Sequence, residues 1–412
     1  MFARLKRKLL LFLAVLGPST IATMAGNDAA GVITYSLSGA NLGYGILFIL
    51  PLLTILYSIT QEIGSRIAVV TGKGLGDLIR ERFGIRTALL VFSLLMIANF
   101  GSILTNVSAL KATSILLGVH PSIFVFGAIT CAFLLVVFTD YQKSQKIFFA
   151  GILLYFCYIF AAIKGQPHWN EAMSSLLIPP QSFFSTHYLL IAIAVVGTTI
   201  TPWGQFFVQS YMKDKNLSTD ILPYARVEAF FGASISNIFS FFIIVATAAT
   251  LFVHGIPLLS GEQAAIAIRP FAGEFSAVLF SFGLLNAAII GMIIISLSSA
   301  YVFSEFFGFE GTLDAPYTKS RTFYTIFLLN LLVAGILVMS PKVSLFKIVL
   351  YTQSLNALLL PVVFYFLLKI TNDRELMGRH VNSKWYNGIV TLASIFIILA
   401  AIVATITSFI HV

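Results

Sequence analysis

Apolar residues run along the chain in stretches of about twenty, the length a helix needs to cross a bilayer. Glycine, proline and short polar clusters cut these stretches apart. Reading the runs and their breakers predicts eleven helical spans, centred near residues 24, 55, 101, 129, 154, 198, 240, 288, 331, 356 and 398. The connections are short and no soluble domain fits between them, so residues 1–412 read as one membrane-embedded unit. The predicted fold class is an all-α polytopic membrane protein.

Two spans interrupt their own pattern. The first carries "MAGNDAAGV", residues 24–32, in which Asp28 is the only charge between Lys8 and Glu62. An ionisable group near the bilayer midplane is costly unless it faces a cavity or a partner. Around Asp28 lie Gly26, Asn27, Ala29, Ala30 and Gly31, small or polar residues that let a helix unwind and expose its carbonyls. A broken helix with a carboxylate at the break is a cation site in outline, and a pairing of Asp28 with Lys111 is the competing reading. The sixth span carries "VVGTTITPWGQFF", residues 195–207, where Gly197, Pro202 and Gly204 break the pattern. Pro202 has no N–H to give the carbonyl of Thr198, four residues earlier. Taken alone this is also what an ordinary proline kink looks like. Interruptions in the first and sixth spans together point to an inverted five-plus-five repeat with its substrate at the midplane. The repeats are placed at 9–165 and 186–369, with an eleventh helix over 385–410.

Composition narrows the class. The chain is 58% hydrophobic and 10% charged, with a formal net charge of +9. Twenty of its 25 lysines and arginines fall on alternate connections if the N-terminus is inside, the exceptions being Lys111, Lys164, Arg269, Lys342 and Lys347. That asymmetry predicts a multi-pass protein of the cell's plasma (inner) membrane with a cytoplasmic N-terminus and an outside C-terminus. It assigns the positive charge to cytoplasmic loops and not to a nucleic-acid surface. The start, "MFARLKRKLLLFLAVLGPS", also fits a secretory leader, but its removal would cost the Asp28 motif half its helix. Cys131 and Cys157 both lie in apolar runs, so no disulfide framework is indicated. With no His/Cys/Glu cluster and no nucleophile beside an intramembrane base, neither an enzyme nor a bound cofactor is expected. Asp28 and Lys111 read as the only charges near the membrane interior. Glu62, Arg66, Asp77, Arg80, Glu81 and Arg82 fall at a helix end and loop, as surface pairs or an inner gate.

The run "GPSTIATMAGNDAAGVITYSLSGANLGYGILFILPLLTILYSITQEIGSRIAVVTGKGLGDLIRERFG" resembles the first two spans and following loop of the NRAMP divalent-metal transporters. "LFSFGLLNAAIIGMIIISLSSAYVFSEFFGFEG", residues 279–311, is similar to that family's eighth span, and the likeness extends with gaps from about residue 17 to 369. The resemblance implies a LeuT-like fold, a monomer and a divalent-metal substrate. The family's D-P-G-N matches Asp28, Ala29, Ala30 and Gly31, so its asparagine ligand becomes glycine. Its A-x-x-M-P-H matches Thr198, Thr199, Ile200, Thr201, Pro202 and Trp203, so the metal-binding methionine is Thr201 and the histidine is Trp203. The family's carbonyl ligands fall on Ala25 and Thr198, and Gln353 stands where the tenth span has a glutamine near the metal. The acidic pair of proton coupling falls on Ser102 and Thr105, and an arginine of the same network on Ile326.

Oxygen ligands without sulfur are hard-cation chemistry. Magnesium holds oxygens at about 2.0 to 2.1 Å and usually keeps several waters. The expected metal set is Asp28, Ala25, Gly31, Thr198, Thr201 and Gln353, with Asn27, Thr199 and Trp203 behind it and Thr23 and Gln205 as further partners for ion-bound water. The pattern is similar to the NRAMP-related magnesium transporters, which implies Mg2+ import, Mn2+ as second substrate, and no proton coupling. Two readings stay open beside it: a proton-coupled Mn2+/Fe2+ importer, and a LeuT-like transporter of small organic molecules in which Asp28 binds an amine or Na+.

Overall fold

The computed structural model describes residues 12, 15–256, 258, 274–340 and 345–410. The basic segment 4–8, Arg269, Lys342 and the first residues of the 9–165 repeat lie outside the described residues. Helices fall on ten of the eleven centres, and the remaining one, residue 154, falls on the short turn between two helices. The first span is two pieces, α1 (Pro18–Ala25) and α2 (Ala29–Leu42). Pro18 opens α1, where its missing N–H costs no hydrogen bond. A 3-10 turn, Gly43–Phe48, leads into α3 (Ile49–Thr71). Next come α4 (Leu75–Leu116), interrupted where Gly84 takes φ 81°, then α5 (Pro121–Phe138), α6 (Tyr141–Leu153) and α7 (Phe156–Lys164). A short α8 (Trp169–Ser174) precedes the second broken span, α9 (Thr186–Thr199) and α10 (Pro202–Asp214). The chain continues through α11 (Leu222–Thr247), α12 (Glu274–Phe307), α13 (Arg321–Met339), α14 (Leu345–Thr371) and α15 (Lys384–Ile410).

Among the described residues, nine stretches are long and apolar enough to cross a membrane, or up to ten with the bent pair Arg374–His380 and Lys384–Ala400. The number falls short of eleven because α2 and α3 run on through the 3-10 turn as one stretch, Ala29–Thr71, and α1 is too short to count. The two broken spans sit at the centre. Pieces α1 and α2 pack on α11, α10 packs on α3 and α12, and α9 packs on α14. At the last contact Gly197 allows backbone against backbone: a Cβ there would collide with the carbonyl of Gln353 and lie 2.9 Å from the amide nitrogen of Ala357.

The basic connections gather at one end and are tied to one another. Lys215 donates to the carbonyls of Val15 (2.7 Å) and Leu16 (2.8 Å), and Gln145 donates to Leu16 as well. Arg66 grips both oxygens of Glu62 and donates to Asn382 Oδ1 and the carbonyl of His380, while Arg226 reaches Glu62 at 2.9 Å. Charged side chains besides Asp28 are packed inside the protein at this end. Glu62, Arg66, Glu228 and Glu305 are buried too. Each is compensated, as burial of a charge requires. Glu228 of α11 accepts from the backbone N–H groups of Gly17 (3.1 Å), Ser19 (3.2 Å) and Thr20 (2.7 Å), the unpaired donors at the start of α1. Glu305 accepts from Ser210 Oγ and the Gly76 amide. Glu228→Gln keeps the volume but turns an NH2 toward N–H donors, and is expected to destabilise the protein by about 1.5 to 3 kcal/mol. A lowered melting temperature of the purified protein in detergent checks this.

Candidate functional site

Asp28 makes the first break. Its backbone is extended and its Oδ1 accepts from the Gly31 amide at 2.8 Å, capping α2 three residues on. Its Oδ2 accepts from Asn106 Nδ2 of α4 at 2.7 Å. Asn106 also accepts from the Ala29 amide through Oδ1, at 3.0 Å, and donates to the carbonyl of Ser102. One side chain thus holds both the carboxylate and the first turn of α2. Lys111 plays no part: its ammonium donates to the carbonyl of Val338 at 2.8 Å, so the Asp28–Lys111 pairing does not form. Each carboxylate oxygen has lone pairs beyond the one it uses here. The carbonyl of Ala25 accepts from the Asp28 amide at 3.1 Å.

The second break repeats the device. Thr201 is extended, and its hydroxyl accepts from the Gly204 amide at 3.2 Å, with Pro202 as the first residue of α10. Thr199 donates to the carbonyl of Val195, so at its 2.8 Å contact with Tyr35 the tyrosine O–H donates. That bond links the two broken spans. The breaks face each other: a Cβ on Gly31 would lie 3.5 Å from Thr198 Oγ1, and one on Gly26 would lie 3.5 Å from the carbonyl of Thr199. Thr198 Oγ1 is buried and has no hydrogen-bond partner among the described residues.

The remaining predicted residues divide. Gln353 Oε1 accepts from Asn356 Nδ2 (3.2 Å), which also reaches Ser102 Oγ (3.3 Å). An uncharged chain therefore runs from Asp28 through Asn106, Ser102 and Asn356 to Gln353. Asn27 is fully engaged by α11, donating to the Ser236 carbonyl (2.9 Å) and accepting from Ser240 Oγ (2.8 Å), so it fastens the break. Trp203 is buried, and its carbonyl accepts from Ser298 Oγ. Thr23 donates to the carbonyl of Thr20. Asn106, Asn356 and Tyr35 are the participants that sequence reading missed. A signal existed for the first of these, since Asn99, Ser102 and Asn106 mark one polar face of an apolar helix.

The surroundings of Asp28 offer oxygen: one carboxylate, backbone carbonyls, threonine hydroxyls and amides. Among the described residues no three His, Cys, Asp or Glu side chains come together, so a cation here would draw on Asp28 and neutral oxygens and not on a cluster of charged ligands. Asn106→Ala leaves Asp28 Oδ2 and the Ala29 amide buried without this partner, at a cost of about 1 to 3 kcal/mol. The variant is expected to melt lower and to lose the greater part of any Asp28-dependent ion binding, measured by calorimetric titration of the purified protein.

Two interrupted spans facing one another at the centre of a helical bundle are the architecture of the LeuT-fold transporters. The structure of MhsT in complex with L-phenylalanine superimposes with a TM-score of 0.58 at 14% identity, over 93% of this chain and 98% of that one. A crystal structure of the Eremococcus coleocola manganese transporter superimposes with a TM-score of 0.74 at 19% identity, over 95% of this chain and 86% of that one. Within that class the chain belongs to the natural resistance-associated macrophage protein-like (Nramp) family, whose model matches residues 19–407. The divalent metal cation transporter MntH of Pectobacterium carotovorum is 26% identical over 397 residues, 94% of this chain and 92% of the relative. MntH 1 of Pseudomonas aeruginosa is 23% identical over 400 residues, 93% of this chain and 88% of the relative.

Proposed function

We propose that the protein carries divalent cations into the cell by alternating access, with Mg2+ as the main substrate, largely hydrated, and Mn2+ as the second. This is the reading of the NRAMP-related magnesium branch. The observation that supports it is the chemistry at the two breaks, where Asp28 caps α2 and Thr198 Oγ1 lies buried with no partner among the described residues; the proposed ligands are Asp28, the carbonyls of Ala25 and Thr198, the hydroxyls of Thr198 and Thr201, the Gly31 position and Gln353. Hard oxygens favour Mg2+ and Mn2+ over softer metals. Thr201, smaller than the methionine of the family pattern, leaves room for ion-bound water, with Thr199, Asn27 and Trp203 behind it, whereas the space beside Gly31 is taken by the carbonyl of Gly26.

Transport is proposed to be uncoupled from protons. Ser102, Thr105 and Ile326 do not titrate, and the chain from Asp28 to Gln353 is built of neutral groups. The membrane potential suffices to drive entry, at about 2.3 kcal/mol per charge per 100 mV and twice that for a divalent ion. In this proposal the basic end is cytoplasmic, the N-terminus inside and the C-terminus outside the inner membrane. Repeats 9–165 and 186–369 move against each other within a monomer, and helix 385–410 is an addition.

The names of the MntH relatives favour a second reading, a proton-coupled Mn2+ importer. Uptake into proteoliposomes carrying trapped Mg2+ and pH indicators separates the two. Mg2+ entry without internal acidification supports the proposal, whereas Mn2+ entry with acidification and no Mg2+ entry selects the other.

A further inference from the structure

From the break to the basic end, α3 packs on α10 and touches α1, and α1 and α10 also pack on each other. Tyr57 stands at the break, 3.4 Å from where a Cβ on Gly26 would be. Two turns on, Ser65 Oγ meets Ser19 Oγ of α1 at 2.9 Å, and a Cβ on Gly64 would lie 2.8 Å from Val208 Cγ1 and 3.4 Å from Gln209 Cγ of α10. Helices α3 and α10 both run toward the basic end, where Arg66 and Lys213 are tied down. Gln61, three residues before Gly64, shares the face of α3 that meets α10, and Gln205, four residues before Gln209, shares the face of α10 that meets α3. Three glutamines thus line the seam that leads from the break to the basic end.

All three are fully buried, and of their side-chain polar atoms only Gln209 Nε2 has a partner among the described residues, the carbonyl of Gln205 at 3.4 Å. Both side-chain polar atoms of Gln61, both of Gln205, and Oε1 of Gln209 have no partner among the described residues. Buried amides are nearly always paired, and a cluster left unpaired needs a reason. The packing of α3 against α10 gives none, because an apolar side chain of the same volume would fill this seam at no polar cost.

We infer that Gln61, Gln205 and Gln209 form an acceptor-lined passage through which a hydrated divalent cation leaves the Asp28 site once α1 and α10 separate. Water bound to a divalent ion is polarised and donates outward, so a hydrated ion requires acceptors along its path. Carboxamide oxygens supply them without the charge that would trap the ion. The inference rests on the transport reading above and adds the residues of the release step.

The test is uptake of Mg2+ and Mn2+ by the full-length protein in proteoliposomes. Gln205→Met, Gln209→Met and Gln61→Met are compared with their Asn counterparts and with Asp28→Ala. Each Met variant is expected to lower the maximal Mg2+ rate about tenfold with a half-saturating concentration unchanged within about twofold, and to affect Mn2+, which sheds water more readily, less. The Asn variants keep an acceptor and should recover much of the rate. The melting temperatures of the Met variants should match or exceed that of the unaltered protein. Met variants that transport Mg2+ at the unaltered rate, that melt lower or fail to fold, or that Asn does not outperform, overturn the inference. If the unaltered protein takes up neither ion, or does so without Asp28, the transport reading itself fails at the control.

Discussion

Asp28→Ala is expected to cut divalent-cation uptake by a factor of about one hundred or more while leaving the protein folded. Two unit charges 4 Å apart attract by about 4 kcal/mol at an effective dielectric constant near 20, and a divalent ion doubles that. Loss of even a third of such an attraction is worth two powers of ten. The partners found at the two breaks, Asn106, Gly31, Thr201 and Gly204, are all neutral and offer no charge to take over. Stability should move far less. The substitution removes the cap on the Gly31 amide and the bond from Asn106, about 1 kcal/mol each, but also relieves the burial of a carboxylate. Asp28→Asn sharpens the test, because it keeps an acceptor for Gly31 and the side-chain volume while it removes the charge and the acceptor that faces Asn106. Initial rates in proteoliposomes and melting curves on the same preparations decide the matter. Uptake that survives both substitutions would remove Asp28 from the site.

Thr201→Met should shift selectivity toward soft metals. Cd2+ is expected to inhibit Mg2+ uptake at a concentration about tenfold lower than in the unaltered protein, because a thioether favours soft over hard cations. The same change removes the hydroxyl that caps the Gly204 amide, so α10 should lose about 1 kcal/mol of stability. An unchanged Cd2+ profile in a folded variant would show that residue 201 does not reach the ion. Restoring the asparagine of the D-P-G-N pattern is a different matter. A Cβ on Gly31 would collide with the carbonyl of Gly26, so Gly31→Asn would have to move the backbone of the break itself. Of the two departures from the family pattern, only the one at Thr201 is reversible by a side-chain change alone.

The fold was legible because its distinctive features are local. Long apolar runs mark the spans, and Gly26 to Asp28 and Pro202 mark the breaks where the helices stop. The first layer of the candidate site was legible for the same reason, since a lone aspartate in an apolar run points to itself. What holds that aspartate was not. Asn106 acts from 78 residues away, and only the packing of α4 on α2 brings the two together. The buried Glu228 shows the opposite limit. Sequence places it beside a basic connection, where a carboxylate is unremarkable, and its role follows from the start of α1 arriving 208 residues earlier in the chain. The seam glutamines share that limit, because an unpaired amide can be recognised only once every neighbour is placed.

The two interruptions are written in four residues each: Asp28 turns back to Gly31, and Thr201 to Gly204. Neither bond needs a distant partner, so the discontinuities belong to the chain before the bundle exists. Pieces of 8 and 14 residues in the first span, and of 14 and 13 in the sixth, are each shorter than the roughly 20 residues that cross a bilayer unaided. During synthesis these half-helices cannot settle in the lipid as independent units. Each is expected to depend on the helices it packs against, α11 for the first span and α3 for α10, so that the centre of the transporter is held in the membrane by its neighbours more than by its own length.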